Sequence, residues 1–79
     1  MHTEDEIKDE NRRIRRLRIL TDLTISIIMQ GDLTFEQASN LVAGLRVAAL
    51  ELFPEKGEVF DLILLPRFRR VMCEKYRLH

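Results

Sequence analysis

The first 30 residues contain neither glycine nor proline, and this uninterrupted stretch constrains the fold more than any other feature. Thr3 is placed as an N-cap whose hydroxyl accepts from exposed backbone amides, and Glu6, three residues later, completes a capping box. Gly31 is the first residue suited to ending the helix, and a left-handed cap is expected there. The sequence therefore predicts one helix over about residues 4–30, roughly 40 Å long.

A second capping box marks the next helix. Thr34 is followed three residues later by Gln37, which repeats the pattern of a hydroxyl N-cap with a reciprocal side chain. The turn at Pro54–Gly57 ends this helix, because proline cannot continue the helical hydrogen bonding and glycine follows within three residues. A helix over about residues 35–53 is predicted.

The last segment reads as a helix over about residues 58–77 that is interrupted at Pro66. Proline has no N–H to bond the carbonyl of Leu62, so we expect the helix either to kink or to break there, with Pro66 starting a short fourth helix. No stretch shows the two-residue alternation of a strand. The predicted fold is all-α, with three to four helices in a single helical domain, residues 1–79.

The long first helix also predicts association. A compact domain of this size is only about 30 Å across, so the helix should extend beyond its own domain. The second half of the first helix and most of the second are apolar on more than one side, and small residues such as Ala48 and Ala49 suggest close helix contacts. An intertwined or bundle-type homodimer is the favoured arrangement. A monomeric three-helix bundle with a frayed N-terminal turn is the alternative.

Charge is segregated along a chain whose formal net charge is zero. Residues 1–10 carry five acids and one lysine, and residues 11–18 carry five arginines. Local pairing, for example Asp9 with Arg13 one turn later, is the favoured interpretation. A surface that contacts phosphates or other anions is the alternative, because guanidinium groups suit such ligands. The candidate anion or partner contacts are Arg12, Arg13, Arg15, Arg16, Arg18, Arg67, Arg69 and Arg70.

Nucleic-acid binding through a helix-turn-helix is not favoured. Gly44 would provide the turn, but residues 45–53 would then be the recognition helix, and Arg46 is their one basic residue.

Catalytic and metal-binding patterns are weak. His2 and His79 stand at the chain ends, and Cys73 has no second cysteine, so it is expected as a packed helical thiol. Asp22, in an apolar run, is expected to pair with Arg18 or with an arginine of a partner chain. No catalytic, cofactor-binding or metal-ligating residue is predicted, and enzyme activity is not expected.

The remaining features concern location and role. The N-terminus lacks the basic and apolar regions of a signal peptide, no stretch suits a bilayer, and one cysteine cannot form an internal disulfide, so a cytoplasmic protein with no membrane partner is expected. The predicted function is a small helical association module, a scaffold, adaptor or regulatory accessory, that acts as a homo-oligomer. An unidentified protein partner is a further candidate. The alternative is a nucleic-acid-binding accessory protein that uses the arginine clusters 12–18 and 67–70.

Overall fold

The computed structural model describes residues 3–77, which form helices joined by short loops and contain no strand. The all-α prediction is therefore confirmed for the described residues. Helix α1 spans Glu4–Gln30 and α2 spans Phe35–Leu52. A short α3, Gly57–Val59, runs into a π-helical turn, Phe60–Leu64, which continues into α4, Leu65–Tyr76.

Both predicted capping boxes are present. The Thr3 hydroxyl accepts from the Glu6 N–H at 3.2 Å, and the Glu6 carboxylate accepts from the Thr3 N–H at 3.3 Å. Thr34 and Gln37 form the equivalent pair of hydrogen bonds at 3.1 and 3.0 Å. Four otherwise orphaned backbone amides are thus satisfied, which is why α1 and α2 begin where they do.

The predicted left-handed cap at Gly31 is wrong. Gly31 is extended, with φ −88° and ψ 165°. Its N–H donates to the Ile27 carbonyl oxygen at 2.8 Å, and a Cβ on Gly31 would lie 2.6 Å from that same oxygen. Glycine suits this position because a side chain would clash with the Ile27 carbonyl oxygen, and not because the backbone has a positive φ.

This geometry predicts opposite effects for two glycine-to-alanine substitutions. Gly31→Ala should lower the free energy of unfolding, by about 1 kcal/mol, because the end of α1 must shift to relieve the clash. Gly44→Ala should raise it by about 0.5–1 kcal/mol, since Gly44 lies within α2 and a Cβ there meets nothing within 4 Å. Chemical denaturation of both variants checks this, and two effects of the same sign would contradict it.

The irregularity expected at Pro66 takes the form of the π-helical turn just before it. The Leu65 N–H donates to the Phe60 carbonyl, five residues back, and Pro66 occupies the first turn of α4, where a missing N–H costs little. The chain thus stays helical from Gly57 to Tyr76. The turn also carries Leu62, which is 75% exposed.

The core lies where α1, α2 and α4 meet. Thr21 and Thr24 of α1 are buried there, and their hydroxyls donate to carbonyls one turn earlier at 2.8 and 2.7 Å, so both buried hydroxyls are paired. The Tyr76 hydroxyl donates to the Leu33 carbonyl at 2.7 Å, which ties the end of α4 to the α1–α2 loop. The buried apolar residues are Ile28, Ala38, Val42, Leu45, Ala49, Phe60, Phe68 and Met72.

The molecule is elongated for its size. Its longest dimension is 47 Å and its radius of gyration is 14.2 Å, whereas a compact domain of this length has a radius of about 12 Å. The accessible surface is 6351 Å², against about 5,000 Å² for a compact monomer of 9.4 kDa. The chain therefore exposes surface that a compact monomer of the same mass would bury.

Candidate functional site

Among the arginines of α1, Arg13 turns toward the body of the protein. Its guanidinium lies 3.0 Å from the Asp9 carboxylate and donates to the Leu52 carbonyl at 3.5 Å. It also stacks over the Phe53 ring, 5.8 Å from the centroid. The predicted Asp9–Arg13 pair is thus present, and Arg13 joins α1 to the end of α2.

The other four arginines of this cluster are exposed and make no hydrogen bond or ion pair within residues 3–77. Their helical spacing places all four within about 160° of the circumference of α1, with Arg16 and Arg18 at the two edges of that side. Arg18 lies on the side toward α4, where it lines a cleft. These four residues are Arg12, Arg15, Arg16 and Arg18.

The arginines of α4 are divided between two sides of the helix. Arg67 lines the cleft that contains Arg18, with a volume of about 220 Å³, and lies 3.9 Å from the Asp22 carboxylate. Arg69 borders a different pocket, between α2 and α4, and Arg70 is exposed. Of the eight candidate arginines, the structure thus brings Arg18 and Arg67 together across α1 and α4.

The expectation for Asp22 needs correction. Its side chain is exposed rather than held among apolar groups, and the arginine recorded beside it is Arg67, 45 residues away in sequence, rather than Arg18. A pair this open and this long contributes little stability. Asp22 is therefore a surface carboxylate at the edge of the α1–α4 cleft.

A pair that sequence reasoning missed joins Arg46 to Asp61. The guanidinium donates to both carboxylate oxygens, at 2.8 and 3.0 Å, and fastens α2 to the π-helical turn. These hydrogen bonds hold the pKa of the Asp61 carboxyl below its usual value and raise the pKa of the Arg46 guanidinium. The two residues are 15 apart, so helical spacing gives no signal for them.

The α2–α4 pocket has a volume of about 380 Å³ and mostly apolar walls. Cys73 borders it and is exposed, which corrects the expectation of a packed thiol. Within residues 3–77, no group of three or more histidine, cysteine, aspartate or glutamate side chains is arranged to hold a metal ion.

Eleven large apolar side chains are exposed within residues 3–77, and four of them line two grooves. The end groove, about 270 Å³, lies between α1 and the π-helical turn and is lined by Ile14, Val59 and Ile63 among others. A wider groove runs between α1 and α2 past Ile27. The exposed large apolar residues are Ile7, Ile14, Ile19, Leu23, Ile27, Met29, Phe35, Val47, Val59, Leu62 and Ile63.

Comparison with known proteins adds no relative: no protein-family model, curated protein or solved structure matches this chain. Within residues 3–77, none of the helices combines the length and the apolar character needed to cross a bilayer.

Proposed function

We propose that the protein is a small helical association module that acts as a homo-oligomer, without catalytic activity of its own. The observation that carries this proposal is the surplus surface, which is the accessible surface beyond that of a compact monomer of the same mass. The chain exposes about 1,300 Å² more than a compact monomer of its mass, and a standard protein–protein interface buries about 800 Å² of each partner.

The nature of the exposed surface supports the same proposal. Eleven large apolar side chains are exposed in residues 3–77, and three of them group around the end groove instead of standing singly. Contiguous exposed apolar surface is typical of interaction sites. A module of this kind serves as a scaffold, adaptor or regulatory accessory. In that role the assembled oligomer binds another protein.

Sedimentation tests the proposal directly. At micromolar concentration, the protein should sediment with about twice the 9.4 kDa mass of the chain, because a second copy covers the exposed apolar surface. Circular dichroism on the same sample verifies that the chain is folded. A fully helical protein that stays monomeric across the micromolar range would show that the proposal is wrong.

Nucleic-acid binding is a second candidate, and one observation favours it: Arg18 and Arg67 line the same cleft. The division of the α4 arginines between two sides of that helix weakens it, because a phosphate backbone follows one face. Titration with duplex and single-stranded nucleic acid at increasing salt separates the two functions. Tight binding that weakens steeply with salt, by a protein that stays monomeric, would favour this second function over association.

A further inference from the structure

The N-terminal part of α1 lies wholly on the surface. Every residue from Thr3 to Arg12 is exposed, although the segment is helical from Glu4 onward. Isolated helices shorter than about 12–15 residues are marginal in water. The capping box and the acidic first turn stabilise the segment locally, but they bury no apolar surface. This segment would therefore gain most from a partner.

One side of this segment is apolar. Ile7 and Ile14 are 48% and 42% exposed, and their seven-residue separation places them on the same side of the helix. Ile14 also lines the end groove beside Val59 and Ile63, both exposed. An apolar strip thus runs from the first turns of α1 onto the π-helical turn.

The charges of the segment are ordered along the helix. Residues 1–10 carry a formal charge of −4 and residues 11–18 a charge of +5. The acidic block would repel an acidic partner or a phosphate backbone. The arginine block would repel a basic partner. A second copy of the same helix, running in the opposite direction, matches both blocks at once.

The position of the symmetry axis follows from the residue numbers. A two-fold axis near residues 10 and 11 places Ile7 of each copy beside Ile14 of the other, since the two are equidistant from it. Glu4 and Arg18 lie two heptads apart on this same side of α1, and the same axis brings them together. The midpoint is 10.5 for Ile7 with Ile14 and 11 for Glu4 with Arg18, so the apolar match and the charge match place the axis within half a residue of each other.

We propose that residues 4–18 form a self-complementary contact in which two copies of α1 pack antiparallel about this axis. The inference rests on the proposed function and names the surface that carries it. The acidic first turn of each copy then lies against the cleft that contains Arg18 and Arg67 of the other. The surplus surface of about 1,300 Å² per chain is large enough to supply such an interface.

Two substitutions test the contact. Ile7→Lys places a cation beside the arginine block of the other copy, and Ile14→Asp places an anion beside its acidic block. Each should raise the dissociation constant of the dimer by about 100-fold, because an uncompensated charge enters an apolar contact. Ile19→Lys is the matched control. Ile19 is 58% exposed on the same helix but lies about 120° around it from Ile7, so the expected change is less than about threefold.

A cross-link tests the register separately. In a Cys73→Ser background, Asn11→Cys brings two cysteines to the symmetry axis and should form a disulfide-linked dimer on mild oxidation. Ser26→Cys, on the outer side of α1 and far from the axis, should not. Circular dichroism must show that each variant keeps its helicity, and Ile7 is suited to this test because it lies in the wholly exposed segment of residues 3–12.

The outcomes separate the two levels of the proposal. A monomeric native protein would overturn the association function and this contact with it. A native dimer whose dissociation constant is unchanged by Ile7→Lys and Ile14→Asp, or in which Ser26→Cys cross-links faster than Asn11→Cys, would overturn the antiparallel contact alone. The proposed function would then stand on another surface.

Discussion

Phe68→Ala is expected to lower the free energy of unfolding by about 3–5 kcal/mol, the typical cost of deleting a buried phenyl ring. Phe68 is 1% exposed and packs in the core with Phe60 and Met72. Alanine would leave a cavity where the helices meet. Domains are stable by about 5–15 kcal/mol, and a chain this short belongs to the lower part of that range. The variant should therefore be largely unfolded at physiological temperature, as urea denaturation followed by circular dichroism would show.

The matched control is the same substitution at an exposed phenylalanine. Phe35 is half-exposed and meets Tyr76 edge to face, with ring centroids 5.7 Å apart. Phe35→Ala should cost about 1 kcal/mol, mainly through loss of this ring contact. Both variants should be measured at several protein concentrations, because association couples apparent stability to concentration. Equal losses from the two variants would show that the core has been assigned to the wrong residues.

Helix starts were the most predictable part of the fold, because their signals are local. Thr3 with Glu6 and Thr34 with Gln37 each satisfy backbone amides within a single turn, so four residues of sequence contain the whole interaction. Helix ends were less predictable. Gly31 ends α1 in an extended conformation, close to the Ile27 carbonyl oxygen. A glycine in the sequence does not specify whether the helix ends in this way or with a left-handed cap.

The spacing of apolar residues predicted that one side of α1 packs against another element, but it did not predict which element covers it. One strip of helical spacing connects Ile7 and Ile14 to Thr21, Thr24 and Ile28. The structure buries the last three against α2 and α4 and leaves the first two exposed. The shorter α2 and the turn after it do not extend as far as the start of α1. The sequence pattern is the same for a contact within the chain and for one between chains, so only the fold distinguishes them.

Side-chain pairs between helices were beyond prediction. Arg46 meets Asp61, and Asp22 lies nearest Arg67, because the packing of α2 and α1 against the last segment brings them together. The sequence shows the charge blocks of residues 1–18, but it does not show which of the arginines remain unpaired. Arg13 is occupied by Asp9, Phe53 and the Leu52 carbonyl, whereas its neighbours are unpaired within residues 3–77.

The alanines of α2 provide the last prediction, because the same residue type is fully buried at some positions of the helix and exposed at others. The sequence placed Ala48 or Ala49 in a close helix contact, and the structure buries Ala49 and leaves Ala48 half-buried beside the α1–α2 groove. Ala38 is more enclosed than either, with no exposed surface. Ala38→Leu should lower the free energy of unfolding by about 1–3 kcal/mol, since three added carbons must displace packed neighbours.

A graded series makes this prediction specific to packing. Ala49 borders the end groove, so the side chain of Ala49→Leu can partly enter that space and should cost less than Ala38→Leu. Ala43 is exposed, and Ala43→Leu should change stability by less than about 0.5 kcal/mol, because alanine and leucine have similar helix propensities. Urea denaturation of the three variants measures the order. If Ala43→Leu cost as much as Ala38→Leu, helix propensity or association would be responsible, and the central position of α2 would be wrong.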